Sequence, residues 1–345
     1  MTRHLFILAS ILAATAPSHL GAQTPPPIPR EVLQENSLPP EIRAALRNAQ
    51  PISLFNIGTE TLDKNVIIAD KVVWNEGAVA QLGSLDWPYV IIFGKEFLFA
   101  DPEAGAQLLR ALNVKATVPA TPTKPATPPA AGRSGRNGNN GTNGRNGTDG
   151  ATGQTTRIPD IWLITNHIGT QGTSSPTSTK VKLRIHVPGV AGGDGGRGGD
   201  GGDGGQGGSG RNGETRYGVC SRGAGGGGNG GAAGSGGRGG NGGAGGDGGR
   251  VFYVGPGDVI DVLQYASVSN TGAKGGSPGQ PGNPGNPGNG GSRGSHPGNC
   301  NGPGPGVGGP PASPANLGPG DPGVDGKKGT TTAYVVSDVS SLLTR

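Results

Sequence analysis

Short apolar runs alternate with turn residues between position 52 and about position 112. The runs are 52–55, 66–68, 72–74, 79–82, 89–93 and 97–99. The turn residues between them include Asn75-Glu76-Gly77, Gly83-Ser84 and Gly94-Lys95. Apolar runs with this punctuation are typical of β-strands. The pattern predicts a small β-rich module at 51–115, built as stacked rungs or as a meander.

A short helix is predicted on the N-terminal side of this module. Pro40 precedes the mixed apolar and polar stretch 41–48, and proline is favoured in the first turn of a helix. The helix belongs to a proline-rich spacer, 23–50. On the other side, an Ala/Thr/Pro-rich linker at 116–131 marks a domain boundary.

Strand-like patterns return after the linker. Residues 180–187 read Lys-Val-Lys-Leu-Arg-Ile-His-Val, a strict alternation that predicts a strand with one apolar face. With 161–168 it predicts a hairpin across the loop 170–179. Further strand-like stretches are predicted at 251–253 and 258–268, around a Gly-Pro-Gly turn, and at 330–343.

Glycine recurs at every third position between these stretches. The runs extend over 132–153, 189–213, 225–249, 276–294 and 320–329. Three residues per turn is the period of the polyproline-II helix, which has no internal hydrogen bonds. Its backbone groups must therefore find partners in neighbouring segments or in water. A glycine face lets such neighbours approach closely.

The triplets differ between runs. The first and last runs have one glycine per triplet, as in collagen, whereas 189–213 and 225–249 are mostly Gly-Gly-X. A second glycine per triplet brings no benefit in a collagen trimer, so a monomeric polyglycine-II helix bundle is favoured over a collagen trimer. The Gly-Gly-X runs are expected inside this bundle and the Gly-X-Y runs at its edges. The predicted fold class is mostly β plus a polyglycine-II helix bundle, with the glycine-rich domain at 132–345.

These Gly-Gly-X and Gly-X-Y runs resemble those of polyglycine-II proteins such as glycine-rich antifreeze proteins and certain phage tail adhesins. They look still more like those of secreted bacterial glycine-rich, collagen-like proteins that alternate strands with Gly-Gly-X tracts. The resemblance covers residues 132–329. It implies an architecture and brings no ligand-binding motif with it.

The N-terminus indicates export. Arg3 and His4 precede an apolar stretch at 5–14 and small residues up to Ala22, which is typical of a signal peptide at 1–22. No later segment has the apolar length of a membrane-spanning helix. A secreted, extracellular or cell-surface location is expected, with the periplasm as an alternative.

Composition and charge exclude several function classes. The chain has 73 glycines among 345 residues and only 4% aromatic residues, which is unlike an ordinary globular enzyme. Its formal net charge is +5, and basic and acidic residues are interspersed. Nucleic acid is therefore not expected as a partner.

The two cysteines, Cys220 and Cys300, are expected to form a structural disulfide in an oxidising compartment. Free thiols and an intermolecular bridge remain the alternatives. The pair flanks glycine runs, where a bridge would hold the ends of neighbouring segments together.

Neither a catalytic nor a cofactor-binding nor a metal site is predicted. The Gly-Gly-Asp triplets around Asp194, Asp200 and Asp203 lack the aliphatic residue of calcium-binding rolls. His167 and His186 fall on neighbouring predicted strands and are interpreted as exposed strand residues rather than metal ligands. The tryptophans are assigned to the core rather than to a sugar-binding surface; they are Trp74, Trp87 and Trp162. The carboxylates at 101, 103, 258 and 261 are assigned to turns and surfaces.

Together these features favour a secreted, non-enzymatic structural or cell-surface protein. Its expected partners are extracellular matrix, envelope or surface polysaccharide. The alternative is a ligand-binding surface for ice or polysaccharide, although charged residues at the third triplet position count against ice. A polysaccharide-acting enzyme ranks last, because the sequence has no convergent acid and base.

Overall fold

The computed structural model describes residues 28–33, 38–101, 106–109, 121–124, 151–172, 181–298, 300, 304–305, 307–311 and 318–343. The predicted signal peptide lies outside these residues. So do most of the predicted linker 116–131 and nearly all of the first glycine run, 132–153. Within the described ranges, no helix is long and apolar enough to cross a bilayer.

Twelve strands and two α-helices form the regular secondary structure of this part of the chain. The strands are β1 (Arg30–Val32), β2 (Ile52–Leu62), β3 (Val66–Leu82), β4 (Tyr89–Phe99), β5 (Ala106–Leu109), β6 (Asp160–Thr170), β7 (Leu183–His186), β8 (Glu214–Arg216), β9 (Val219–Arg222), β10 (Val251–Gly255), β11 (Ser267–Ser269) and β12 (Thr331–Val335). The helices are α1 (Pro40–Asn48) and α2 (Gly257–Leu263), and a 3-10 turn covers Val339–Leu342.

All strands except β8 and β9 belong to one parallel sheet. Nine of its strands follow the order β1-β12-β10-β6-β4-β3-β5-β7-β11, and β2 pairs with the free side of β3. The long strand β3 contacts β4 through its first half and β5 through its second half. The sheet is thereby divided into two stacks, with β4, β6, β10 and β12 in one and β5, β7 and β11 in the other. From β4 to β12, the sheet strands alternate along the chain between the first stack and the second.

The strands in the first stack are buried on both faces, which explains why runs such as 89–93 are apolar throughout. On the inner face, Trp74 stacks on Phe99 with ring centroids 5.9 Å apart, and both are buried. On the outer face, Trp162 packs in a second cluster with Ile42 and Leu46 of α1. The first turn of helix α1 contains Pro40 and Glu41, and both residues favour the start of a helix.

In the described part of the chain, four long extended glycine-rich segments continue from the sheet. We name them segment A (188–213), segment B (224–250), segment C (270–296) and segment D (304–329, described at 304–305, 307–311 and 318–329). Segments A and C leave the sheet after β7 and β11, and segments B and D return to β10 and β12.

Hydrogen bonds join these segments at every third residue. Segment A donates to the parallel segment C, as from Gly195 N to Ser277 O (2.8 Å). Segment B donates to the antiparallel segment A, as from Gly240 N to Gly196 O (2.8 Å). A backbone without internal hydrogen bonds is thus satisfied by its neighbours.

The pairing register of the sheet continues into the glycine-rich segments. Ser267 of β11 lies opposite Arg184 of β7, a separation of 83 residues, and the same separation relates hydrogen-bonded residues of segments C and A. Strands β12 and β10 are offset by 80 residues, and so are segments D and B at Asp321 and Asn241, whereas the offset is 78 farther out, at Val307 and Asn229. For segments A and C, the register of the sheet is thus kept as far as Ser295 and Asn212.

The predicted fold class is wrong. The regular secondary structure is a curled, mostly parallel β-sheet, and the molecule is not a polyglycine-II helix bundle beside a small separate β module. Strands from 51–115 pair directly with strands of the glycine-rich part, as β4 does with β6. A meander is excluded for β2, β3 and β4, because these strands pair in parallel.

Two finer predictions are also wrong. The stretches 161–168 and 180–187 do not form a hairpin, because β6 pairs with β4 and β10 while β7 pairs with β5 and β11. The predicted strand 258–268 is mostly helix α2. Its buried residues Val259, Ile260 and Leu263 have the i, i+1, i+4 spacing of a helix face.

Candidate binding surface

Segments A and C together present two parallel rows of polar side chains. The third position of each triplet points away from segment B, since the glycine positions make the close contacts. We call this surface the polar face. It consists of Asp194, Arg197, Asp200, Asp203, Gln206, Ser209 and Asn212 in segment A and of Ser277, Gln280, Asn283, Asn286, Asn289, Ser292 and Ser295 in segment C; all are exposed except Arg197 and Asp200, which are half-buried.

Side chains of segment A hold the backbone of segment C in place. A carboxylate oxygen of Asp194 accepts the backbone N–H of Ser277 (2.7 Å), and a carboxylate oxygen of Asp203 accepts the backbone N–H of Asn286 (2.7 Å). Asn212 does the same for Ser295 through its amide oxygen (2.9 Å). The regular backbone hydrogen bonds between segments, the glycine ladder, use glycine N–H groups and not these ones. The Asp and Asn side chains therefore accept hydrogen bonds from N–H groups that the ladder does not pair.

Asp200 is the most strongly engaged carboxylate of the polar face. It accepts hydrogen bonds from Lys124 Nζ (2.6 Å) and from the N–H of Asn283 (2.8 Å). Arg197 lies 3.7 Å away. The Lys124 ammonium, followed by the Asn283 N–H, holds the pKa of Asp200 below its ordinary value. Charge on the polar face is therefore partly neutralised inside the molecule.

The polar face has a regular spacing. Successive side chains in one row are three residues apart, which is about 9 Å for an extended three-fold backbone. The two rows contact each other directly, as between Ser209 and Ser292 hydroxyls (3.1 Å). Such a surface can offer repeated hydrogen-bond donors and acceptors to a repeating polymer.

Segments B and D form the opposite surface, the returning face, with a less uniform character. Asn241 accepts the N–H of Asp321 (2.8 Å) and Asp247 that of Lys327 (2.6 Å), which repeats the bracing of the polar face. Val324 is exposed between these two contacts, and Val307 is exposed farther out on segment D. The returning face thus mixes apolar and charged positions.

The predicted disulfide is confirmed. Cys220 on β9 is bonded to Cys300, which follows segment C, with Cα atoms 5.1 Å apart. The bond lies at the end of the segments farthest from the sheet. A disulfide is compatible with a secreted protein.

The tryptophans contribute to the core. Trp74 and Trp162 are buried, and Trp87 packs partly buried against the inner cluster. The Trp162 ring stacks on Phe252 of the neighbouring strand with centroids 4.1 Å apart. These rings are therefore not arranged for stacking on a sugar.

The histidines are not brought together. His167 lies opposite Glu96 of β4, and His186 lies opposite Leu109 and Ser269. Among the described residues, no three His, Cys, Asp or Glu side chains are grouped to hold a metal ion. Asp258 and Asp261 lie on α2, where Asp261 pairs with Arg30 (2.6 Å); Glu103 lies outside the described residues.

Comparisons with known proteins leave the chain without an assigned family. No family model and no curated protein matches it. Among solved structures, a nine-helix polyproline type II bundle, the springtail antifreeze protein from Granisotoma rainieri, is 25% identical over 51% of this chain and 96% of its own. The TM-score is 0.11, so this likeness carries no argument about fold or function.

Proposed function

We propose that this chain is a secreted, non-enzymatic structural or cell-surface protein whose polar face contacts polysaccharide of a matrix, an envelope or a cell surface. The carrying observation is the double row of short polar side chains on a hydrogen-bonded backbone. Because segments A and C brace each other, the rows are preorganised, which lowers the entropy cost of binding an extended polymer. The disulfide supports the secreted location.

The experiment compares two double variants of residues 23–345 in sedimentation assays with cellulose, chitin and peptidoglycan. Asn283→Ala with Asn289→Ala removes exposed amides of the polar face and leaves the bracing side chains intact. Val307→Ala with Val324→Ala alters the returning face to the same extent. Binding that the first variant loses and the second retains would support the proposal.

Two results would contradict it. Loss of binding only in the valine variant would assign the contact to the returning face. Absence of binding to every polysaccharide, with thermal hysteresis in the same preparation, would support ice binding instead.

A further inference from the structure

The hairpin formed by β8 and β9 projects from the far end of the glycine-rich segments. Its base is fixed where Gly213 N donates to Ser295 O (2.8 Å) and Gly225 N donates to Arg211 O (2.7 Å). Segment A separates it from the sheet by about 75 Å, at roughly 3 Å per residue. The hairpin is therefore the most distant described feature from the sheet along this segment.

The hairpin turn holds a tyrosine in an unfavourable conformation. Tyr217 and Gly218 form a two-residue turn with φ values of 52° and 79°, and Tyr217 is the one described non-glycine residue with positive φ. Turns of this kind favour Asn or Gly at the first position, because a bulky side chain is strained there. The ring is 91% exposed, so burial does not compensate for this strain. A strained, exposed aromatic side chain points to a role in binding.

One arginine lies beside this ring, and three more lie at or near the base of the hairpin. The guanidinium of Arg216 lies 5.5 Å from the Tyr217 ring centroid. Arg222 lies on the other strand of the hairpin, and Arg211 and Arg293 belong to the adjoining ends of segments A and C. Glu214, 3.5 Å from Arg222, is the one carboxylate among the described residues of the hairpin and these two ends. The hairpin and its base together therefore carry a net positive charge.

The tip is also rigid. Cys220 lies opposite Thr215 in the hairpin, and its disulfide ties β9 to the end of segment C. The Ser221 hydroxyl donates to the carbonyl oxygen of Glu214 across the hairpin (3.0 Å). A rigid display of charge and ring reduces the ordering cost of binding.

We propose that this tip, centred on Arg216 and Tyr217, is a binding site for an anionic polysaccharide. The inference rests on the proposed function and names the partner class at a second place on the molecule. The tyrosine ring offers an apolar face to a sugar ring, and the arginines form charge-assisted hydrogen bonds with its carboxylate or sulfate groups. One ring and Val219 are a small apolar surface, which favours a charged polymer over insertion into a lipid bilayer.

The test uses residues 23–345 with the disulfide intact and measures binding by fluorescence anisotropy. The probes are fluorescein-labelled polygalacturonate, which carries carboxylates, dextran sulfate, which carries sulfates, and neutral dextran. We expect wild-type protein to bind one or both anionic polymers and not dextran. Comparison of the two anionic probes identifies the preferred acidic group.

Tyr217→Asn is the decisive variant, because asparagine suits the turn and the charge is unchanged. It should weaken binding about ten-fold, and Arg216→Gln by a similar factor, since each removes a ring or charge contact. Arg157→Gln removes the same charge at the sheet end, where its side chain is 72% exposed, and should change binding less than about two-fold. The melting temperature of Tyr217→Asn should equal or exceed that of the wild type.

Other outcomes would overturn the inference. Equal binding by wild type and Tyr217→Asn, with loss of binding in the Asn283→Ala, Asn289→Ala variant, would rule out the tip as a binding site. The proposed function would then still hold. Binding to phosphatidylserine vesicles but to neither anionic polymer would make the tip a membrane contact. Failure of wild-type protein to bind any polysaccharide would overturn both proposals.

Discussion

Glycines in segments A and B are positions of backbone contact on more than one side. A Cβ on Gly201 would lie 2.1 Å from the carbonyl oxygen of Gly234 in segment B, and one on Gly282 of segment C would lie 1.8 Å from that of Gly199. Such distances never occur for a real Cβ, and the atoms met are backbone, which cannot rotate away. Gly318 of segment D meets nothing within 4 Å. Glycine is thus required at one set of positions and optional at another.

Replacement of Gly201 by alanine should destabilise the protein by about 3 kcal/mol or more, because segments A and B must separate to admit the methyl group. Equilibrium unfolding in urea measures the change. Gly318→Ala is the matched control and should stay within about 0.5 kcal/mol of wild type. Equal effects of the two substitutions would show that the close approach at Gly201 does not limit stability.

The period of three in the sequence predicts where close-approach glycines lie, but not what the remaining side chains do. Asp203 and Asn286 each look like a solvated surface residue in their own triplet. Their hydrogen bond depends on a register of 83 residues, which the distant pair β7 and β11 determines. Laying the run 189–213 against 276–294 at this offset would have revealed the bracing, since Asp194, Asp200 and Asp203 then face Ser277, Asn283 and Asn286.

Among the larger elements, the hairpin of β8 and β9 depends most on a covalent bond. Its two strands have three and four residues, and their described burial is slight. A two-stranded hairpin of this size is marginal in water. The disulfide closes a loop with a sequence separation of 80 residues, which contains segments B and C, next to the far end of segment A. It therefore stabilises a part of the molecule that has little core of its own.

Replacing both Cys220 and Cys300 by serine should lower the free energy of unfolding by about 4–5 kcal/mol, because the unfolded chain gains loop entropy. Hydrogen exchange should show nearly complete loss of amide protection at the far ends of the segments, whereas amides of β4, β6 and β10 should stay protected up to the lowered global free energy of unfolding. Ser221→Ala, which keeps the bond, is the control within the same hairpin. Equal residual protection at the far ends and in the sheet would contradict a local role for the disulfide.

Strand existence was predictable from the apolar runs, whereas strand length and partners were not. The runs 66–68, 72–74 and 79–82 belong to one strand, β3, because Asn75 to Gly77 bend the strand without ending it; Gly77 has φ of 63°. The alternation at 180–187 describes a strand correctly, yet alternation says nothing about direction. Parallel partners 77 or 83 residues away cannot be predicted from one segment.

At the scale of the molecule, the described backbone N–H groups of the glycine ladders find their acceptors within one chain. Segment A finds donors and acceptors in segments B and C, and segment B finds them in segments A and D. A collagen triple helix instead draws its partners from two other chains around one glycine axis. Along their glycine ladders, the described segments do not require hydrogen-bond partners from other chains.

Residues 23–345 should therefore be monomeric and elongated in solution. Light scattering should give the mass of one chain at all concentrations, and small-angle X-ray scattering a maximum dimension above about 75 Å, the reach of segment A at roughly 3 Å per residue. The melting temperature should not change with protein concentration. A three-chain mass with concentration-dependent melting would indicate a collagen-like assembly and contradict this prediction.

The shared register of sheet and segments has a consequence for how this protein can change in length. One residue inserted midway along segment A would shift every glycine beyond it out of phase with segments B and C. Insertions of whole triplets keep the glycines in phase, and matched triplets in segments A, B and C would also keep the far ends of these segments level. Lengthening and shortening are therefore quantised, and related chains of different reach should differ by coordinated multiples of three residues, while the sheet that determines the phase stays constant.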